Sequence, residues 1–144
     1  MCIRDRIIRK LKRPYVRYTR ADEKNVRKAD CLIVDCFGLL SSIYRYGEIA
    51  YIGGGFGVGI HNTLEAAVYG IPVIFGPKYQ KFQEAVQLLE AKGAFSVKDY
   101  EELKTLLDRM LTDEVFLRES GMNASNYVTG NAGATDKIMS MINF

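Results

Sequence analysis

Residues 49–77 read IAYIGGGFGVGIHNTLEAAVYGIPVIFGP. The apolar run Ile49 to Ile52 is a strand, and five glycines follow between Gly53 and Gly59. A helix is expected from Asn62, with the carboxylate of Glu65 one turn inside, and a second apolar strand, Val73 to Phe75, closes on Gly76-Pro77. Strand, loop, helix and strand in this order make a parallel crossover unit. Apolar runs alternating with helical periodicity continue on both sides, so the fold expected is α/β, a doubly wound, Rossmann-like parallel sheet. In such sheets ligands bind beyond the carboxyl ends of the strands, where this glycine loop lies.

Glycine serves such a loop by accepting positive φ and by letting backbone N–H groups approach an anion without a side chain between them. A helix start adds further unpaired N–H groups, so a phosphate is the natural guest. The spacing is not G-x-G-x-x-G running straight into a helix, and no Lys-Ser/Thr pair follows; neither the dinucleotide fingerprint nor a Walker A loop fits. The same glycines also suit a purely structural turn. Glu65 lies three residues after Asn62 and four after His61, so the three share one helix face. A carboxylate there can accept the hydroxyls of a ribose. It can equally close a capping box, with Asn62 at the N-cap and Glu65 reaching back to it. His61 is the sole histidine, and no second metal-ligand type clusters with it, so no metal site is expected.

The run Gly-Gly-Gly-Phe…Gly-Ile-His-Asn-Thr-Leu-Glu-Ala-Ala…Gly-Ile-Pro-Val-Ile-Phe-Gly-Pro resembles the C-terminal half of 3-deoxy-D-manno-octulosonic acid (Kdo) transferases, which are GT-B glycosyltransferases of lipopolysaccharide synthesis. Asp35-x-x-Gly38-x-Leu40-x-x-x-Tyr44, Glu48 through Gly54, Lys81-Phe82-x-Glu84 and Gly133-Ala134 extend the likeness over roughly residues 12–143. Lys81 stands where many members carry Asn, and with the Gly-Phe-Gly-Val-Gly loop it resembles the Bacteroidota branch. The resemblance implies a domain that binds the donor CMP-Kdo, with no cofactor and no metal. The donor-nucleotide residues it implies are Gly53, Gly54, Gly55, Phe56, His61, Asn62, Thr63, Glu65 and Lys81. Gly54, Gly55 and Phe56 would line the phosphate and cytidine side, and Glu65 would hold the ribose while still serving as a cap. The acceptor implied is a lipid A precursor, met through an N-terminal domain that also supplies the catalytic base and the contact with the cytoplasmic face of the inner membrane. No catalytic residue is therefore expected in this stretch, and by itself it should not turn over. Another GT-B enzyme using a UDP-sugar, or a Rossmann-like module without a ligand, remains the alternative on the residues alone.

Composition sets the outer bounds. With 144 residues, 48% hydrophobic and 26% charged, the chain is of ordinary size and balance for one globular domain. It contains no apolar run of the ~18 residues that a membrane span needs. Cys2, Cys31 and Cys36 have no metal-ligand spacing, and the latter two read as buried free thiols on or beside a strand. The net charge of +3 is uneven, with eleven Arg and Lys among residues 1–28 against three acidic groups. No helix-turn-helix or stacking-aromatic pattern accompanies them, so no nucleic-acid partner is expected; a solvated surface is the favoured reading, and contact with an anionic membrane surface is the better functional alternative. Residues 1–6, Met-Cys-Ile-Arg-Asp-Arg, resemble no part of the family and are set aside as a non-native leader. Residues 7–144 are then expected to be a GT-B donor-nucleotide domain truncated before its first strand.

The remaining elements expected are helices over 5–12, 38–46, 62–69, 80–92, 100–111, 113–127 and 134–142, and strands over 15–18, 31–34, 49–52, 73–75 and 94–97. Gly93 is expected as the left-handed residue ending its helix. Asp99 and Thr112 are expected as N-caps of the two helices that follow.

Overall fold

The protein is described by a computed structural model covering residues 3–132 and residue 140. The helix expected over 134–142 thus falls almost wholly outside the described residues. Contacts divide the chain into two units, Met1–Ser42 and Ile43–Phe144.

In the first unit helix α1, Ile3–Lys10, ends ahead of Pro14. Strand β1, Tyr15–Arg17, pairs in parallel with β2, Cys31–Ile33, in the register Val16 to Leu32. The segment between them, read as a polar turn, contains a 3-10 turn at Tyr18–Arg20 and a short helix α2, Glu23–Val26. A capping box overlooked in the sequence starts α2: Asp22 accepts from the N–H of Asn25 at 2.8 Å, and Asn25 Oδ1 accepts from the N–H of Asp22 at 2.9 Å. Cys31 and Cys36 are free and half-buried rather than fully enclosed. The helix expected over 38–46 is shorter, α3 covering Leu40–Ile43, and a 3-10 turn follows at Tyr44–Tyr46.

The second unit holds a three-stranded parallel sheet in the order β3 (Ala50–Tyr51), β4 (Val73–Phe75), β5 (Ala94–Ser96). The central strand β4 is buried throughout, as an apolar run covered on both faces should be. Its side chains alternate between two cores. Val73 and Phe75 meet Ala66 and Ala67 of α4 (Leu64–Ala67), Ala85 and Leu88 of α5 (Gln83–Glu90), and Ala124 of α7 (Glu114–Asn131). Ile74 faces Val97 and Met110, with Leu103, Leu106 and Leu107 of α6 (Tyr100–Thr112) around them. Helices on both faces of a parallel sheet are the doubly wound arrangement expected.

Helix ends needed correction. Lys92, with φ 59°, takes the left-handed position after α5, and Gly93 follows it, its N–H donating to the Leu88 carbonyl at 2.9 Å. Gly93 is required for another reason: a Cβ there would stand 2.6 Å from Ala124 Cα, where α7 crosses. Asp99 does cap α6, accepting from the Glu102 N–H at 2.9 Å. Thr112 belongs to α6 and bonds back to the Asp108 carbonyl at 2.7 Å, while Asp113 caps α7 through the Phe116 N–H at 2.9 Å.

Candidate functional site: the glycine loop at the end of β3

Strand β3 hands the chain to Gly53, and the loop that follows folds back on itself. Gly54 and Ile60 form an antiparallel bridge, the Gly55 N–H donates to the Gly59 carbonyl at 2.7 Å, and the His61 N–H donates to the Gly53 carbonyl at 3.3 Å. The end of β4 supports the base of this loop, where the Lys78 N–H donates to the Gly55 carbonyl at 2.8 Å. The backbones are so close there that a Cβ on Gly55 would lie 2.8 Å from Gly76 Cα. Gly54 has φ +100°, and its Cβ would fall 2.1 Å from the Gly59 carbonyl oxygen. Phe82 buttresses the far side, its ring 2.9 Å from where a Gly59 side chain would begin.

These contacts explain Gly54, Gly55 and Gly59, but not the other two glycines. Gly57 has nothing within 4 Å of a built Cβ, and Gly53 meets only His61 Cδ2 at 3.9 Å. Neither takes a positive φ. At the crest, among the described residues, the N–H groups of Phe56, Gly57, Val58 and Gly59 donate to no protein acceptor. Phe56 is half-exposed and Val58 fully exposed, so the crest is open to solvent. A bare crest whose N–H groups have no protein acceptor is suited to an anion.

Beside the loop, α4 is a single turn, shorter than the helix expected from Asn62 to Tyr69, and so brings little dipole to the site. Thr63, the residue before it, makes no cap; Asn62 caps from one position further back, its Oδ1 accepting from the Leu64 N–H at 3.0 Å. The reciprocal arm of the expected capping box is altered as well. Glu65 Oε1 accepts from Asn62 Nδ2 at 3.1 Å, side chain to side chain, instead of from the Asn62 backbone. Glu65 Oε2 accepts from no protein donor among the described residues. Tyr44 stands behind this pair: burial, and then the Glu65 charge, raise its hydroxyl pKa above the ordinary value.

Of the nine residues singled out from sequence, Gly55 and Thr63 are buried, and Gly53, Gly54, Phe56, His61, Asn62, Glu65 and Lys81 reach the surface or its margin. Thr63 is 1% exposed, and its hydroxyl is buried without a hydrogen-bond partner among the described residues. Lys81 is exposed and makes no hydrogen bond or ion pair among the described residues. The cation that does meet the loop is Lys78, whose Nζ lies 3.5 Å from the Gly57 carbonyl. Sequence reasoning passed over it, because only the abutment of the β3 and β4 ends brings residues 57 and 78 together.

Two other places hold polar groups. At the carboxyl ends of β1 and β2, Asp35 accepts from Arg17 Nε at 2.6 Å and from the Thr19 N–H and hydroxyl at 3.1 and 2.9 Å. The Thr19 N–H, outweighing burial together with Arg17 and the Thr19 hydroxyl, holds the Asp35 pKa down at about 2. An open groove of about 810 Å³ runs along β5 and α6, past Phe95, Val97 and Leu106. Several of its charged groups are already engaged, Lys98 with Glu102 at 2.7 Å, Asp99 with the Glu102 N–H at 2.9 Å and Arg109 over the Phe116 ring at 3.7 Å. No group of three or more His, Cys, Asp and Glu able to hold a metal occurs among the described residues, and no helix there is long and apolar enough to cross a membrane.

No family model matches the chain. Curated proteins do. The chain is 44% identical over 87 residues to the 3-deoxy-D-manno-octulosonic acid transferase of Aquifex aeolicus, a match covering 59% of this chain and 25% of that protein. It is 33% identical over 116 residues to the enzyme of the same name from Rickettsia bellii, covering 78% of this chain and 28% of that one. The chain is homologous to Kdo transferases. It spans about a quarter of the length of the curated Kdo transferases it matches. Among solved structures, the C-terminal CMP-Kdo binding domain of WaaA from Acinetobacter baumannii superposes with a TM-score of 0.73 at 19% identity, over 86% of this chain and 65% of that one. That likeness establishes the fold, a parallel α/β domain like that of the WaaA C-terminal domain.

Proposed function

We propose that this chain is the donor-binding part of a Kdo transferase, taking CMP-Kdo at the glycine loop after β3. The observation that carries the reading is the crest of four open N–H groups, with Glu65 nearby in α4 offering an unengaged carboxylate oxygen. The homology to Kdo transferases and the name of the WaaA domain support CMP-Kdo as the donor. Phe56 to Gly59 hold the phosphate through their N–H groups. Glu65, steadied by Asn62, accepts a ribose hydroxyl through Oε2. Gly53 and Gly57 are bare because the ligand approaches the loop's backbone there.

In the parent enzyme the acceptor is a lipid A precursor at the cytoplasmic face of the inner membrane. Its hydroxyl oxygen attacks the anomeric carbon of Kdo and gives up its proton to a base of the N-terminal domain, the bond from that carbon to the phosphate oxygen breaks, and CMP leaves. Negative charge gathers on the departing phosphate, and preorganised N–H donors stabilise it there more than in the ground state. The residues described here serve donor and leaving group; none is assigned to deprotonating the acceptor.

Calorimetry with nucleoside monophosphates tests the reading. CMP should bind in preference to UMP. Equal or tighter binding of UMP would favour a UDP-sugar donor, and binding of neither would remove the nucleotide from the account.

A further inference from the structure

We infer that Lys78 is the residue that reads the charge of the donor phosphate, an inference that rests on the donor-site reading above. Lys78 follows Gly76-Pro77 at the carboxyl end of β4, and its own N–H, donated to the Gly55 carbonyl at 2.8 Å, pins its backbone to the base of the loop. From that anchor the ammonium extends to the crest, 3.5 Å from the Gly57 carbonyl. A contact of that length is a weak hydrogen bond and leaves most of the ammonium's three donors unspent.

The other cations with close contacts are differently placed. Lys98 and Lys104 meet carboxylates at 2.7 and 2.6 Å, and Arg17 is bound to Asp35. Lys78 has no carboxylate partner among the described residues. Its charge stands over the stretch in which Phe56, Gly57, Val58 and Gly59 leave their N–H groups open and Gly57 leaves the space above it empty. A flexible point charge beside a row of N–H donors is the combination with which loops bind phosphoryl oxygens. Lys81, which sequence alone singled out, makes no such contact. Lys78 therefore discriminates nucleotide from nucleoside, while the ribose contact at Glu65 serves both.

The experiment is calorimetric titration of the full chain with CMP and with cytidine, for wild type, Lys78→Gln, Lys78→Arg and, as a charge-matched control on α6, Lys104→Gln. Loss of a charge-assisted contact should weaken CMP about tenfold or more in Lys78→Gln and leave cytidine unchanged. Lys78→Arg should recover most of the loss, and Lys104→Gln should match wild type. The dependence of CMP affinity on salt should flatten in Lys78→Gln, because one charged contact is gone. Since the structural bond of Lys78 is made by its backbone, Gln retains it, and a melting curve confirms the fold. CMP binding as tight in Lys78→Gln as in wild type would overturn the inference while leaving the donor site standing. An equal loss for cytidine would overturn it too, making Lys78 structural. Wild type that binds neither compound would fail the donor-site reading itself, and the inference with it.

Discussion

Glu65 is held by one oxygen and open at the other, and the oxygen that is held meets the Asn62 side chain in place of the backbone N–H that a capping box requires. Asn62 engages Oε1 and also caps α4, and Oε2 has no protein donor among the described residues. Asp35 is the opposite case, a carboxylate whose bonding is filled by Arg17 and Thr19 and whose side chain is 3% exposed. Its role is to tie the ends of β1 and β2 together. Because its pKa is about 2 in the fold against an ordinary 3.8, the folded state binds the proton less readily than the unfolded one. The stabilisation is therefore complete above pH ~4 and lost as pH falls through about 2. Melting temperatures of wild type and Asp35→Asn should differ at neutral pH and converge toward pH 2; a difference that persisted unchanged at pH 2 would show that the charge of Asp35 is not what the fold uses.

At the scale of elements, the loop from Gly53 to Gly59 contains two kinds of glycine. Gly54→Ala must place a Cβ in the Gly59 carbonyl at a φ that side chains avoid, and should cost about 1–3 kcal/mol of stability. Gly57→Ala meets nothing in the protein and should leave the melting temperature nearly unchanged, within about 0.5 kcal/mol, while weakening CMP. A Gly57→Ala variant that bound CMP at full strength would move the phosphate off the crest. The same division explains what the sequence made legible. β4 was readable as a short run apolar on both faces, Val73-Ile74-Phe75, and α5 and α6 because each buries a face of fixed period, as Leu103, Leu106, Leu107 and Met110 do in α6. The short pieces were not. α4 has one turn, and α2 depends on a capping box of Asp and Asn with no apolar stripe behind it. Gly93 misled because its signal has two physical causes, a left-handed cap and close packing, and composition does not separate them. At the site, spacing placed Asn62 and Glu65 together, as local geometry must. The pairing of Lys78 with Gly57 is set by how two strand ends meet, 21 residues apart, and no local pattern records that.

For the molecule as a whole, the three-stranded sheet of the second unit carries the loop. The end of β4 backs the loop, Phe82 at the start of α5 props it, and the Phe75 side of the sheet packs beneath on α4, α5 and α7. In the proposed donor site such support would hold the N–H donors in place before the ligand arrives. The most direct test is a titration of the 144-residue chain with CMP, followed through backbone amide shifts in ¹⁵N–¹H correlation spectra, in wild type and Glu65→Gln. The amides of Phe56 to Gly59 should move together and saturate, and Glu65→Gln should show the same pattern at an affinity weakened by about 1–3 kcal/mol, the cost of losing a hydrogen bond to a charged acceptor. Shifts confined to the groove along β5 and α6, or an unmoved crest at saturating CMP, would contradict a donor site at the crest.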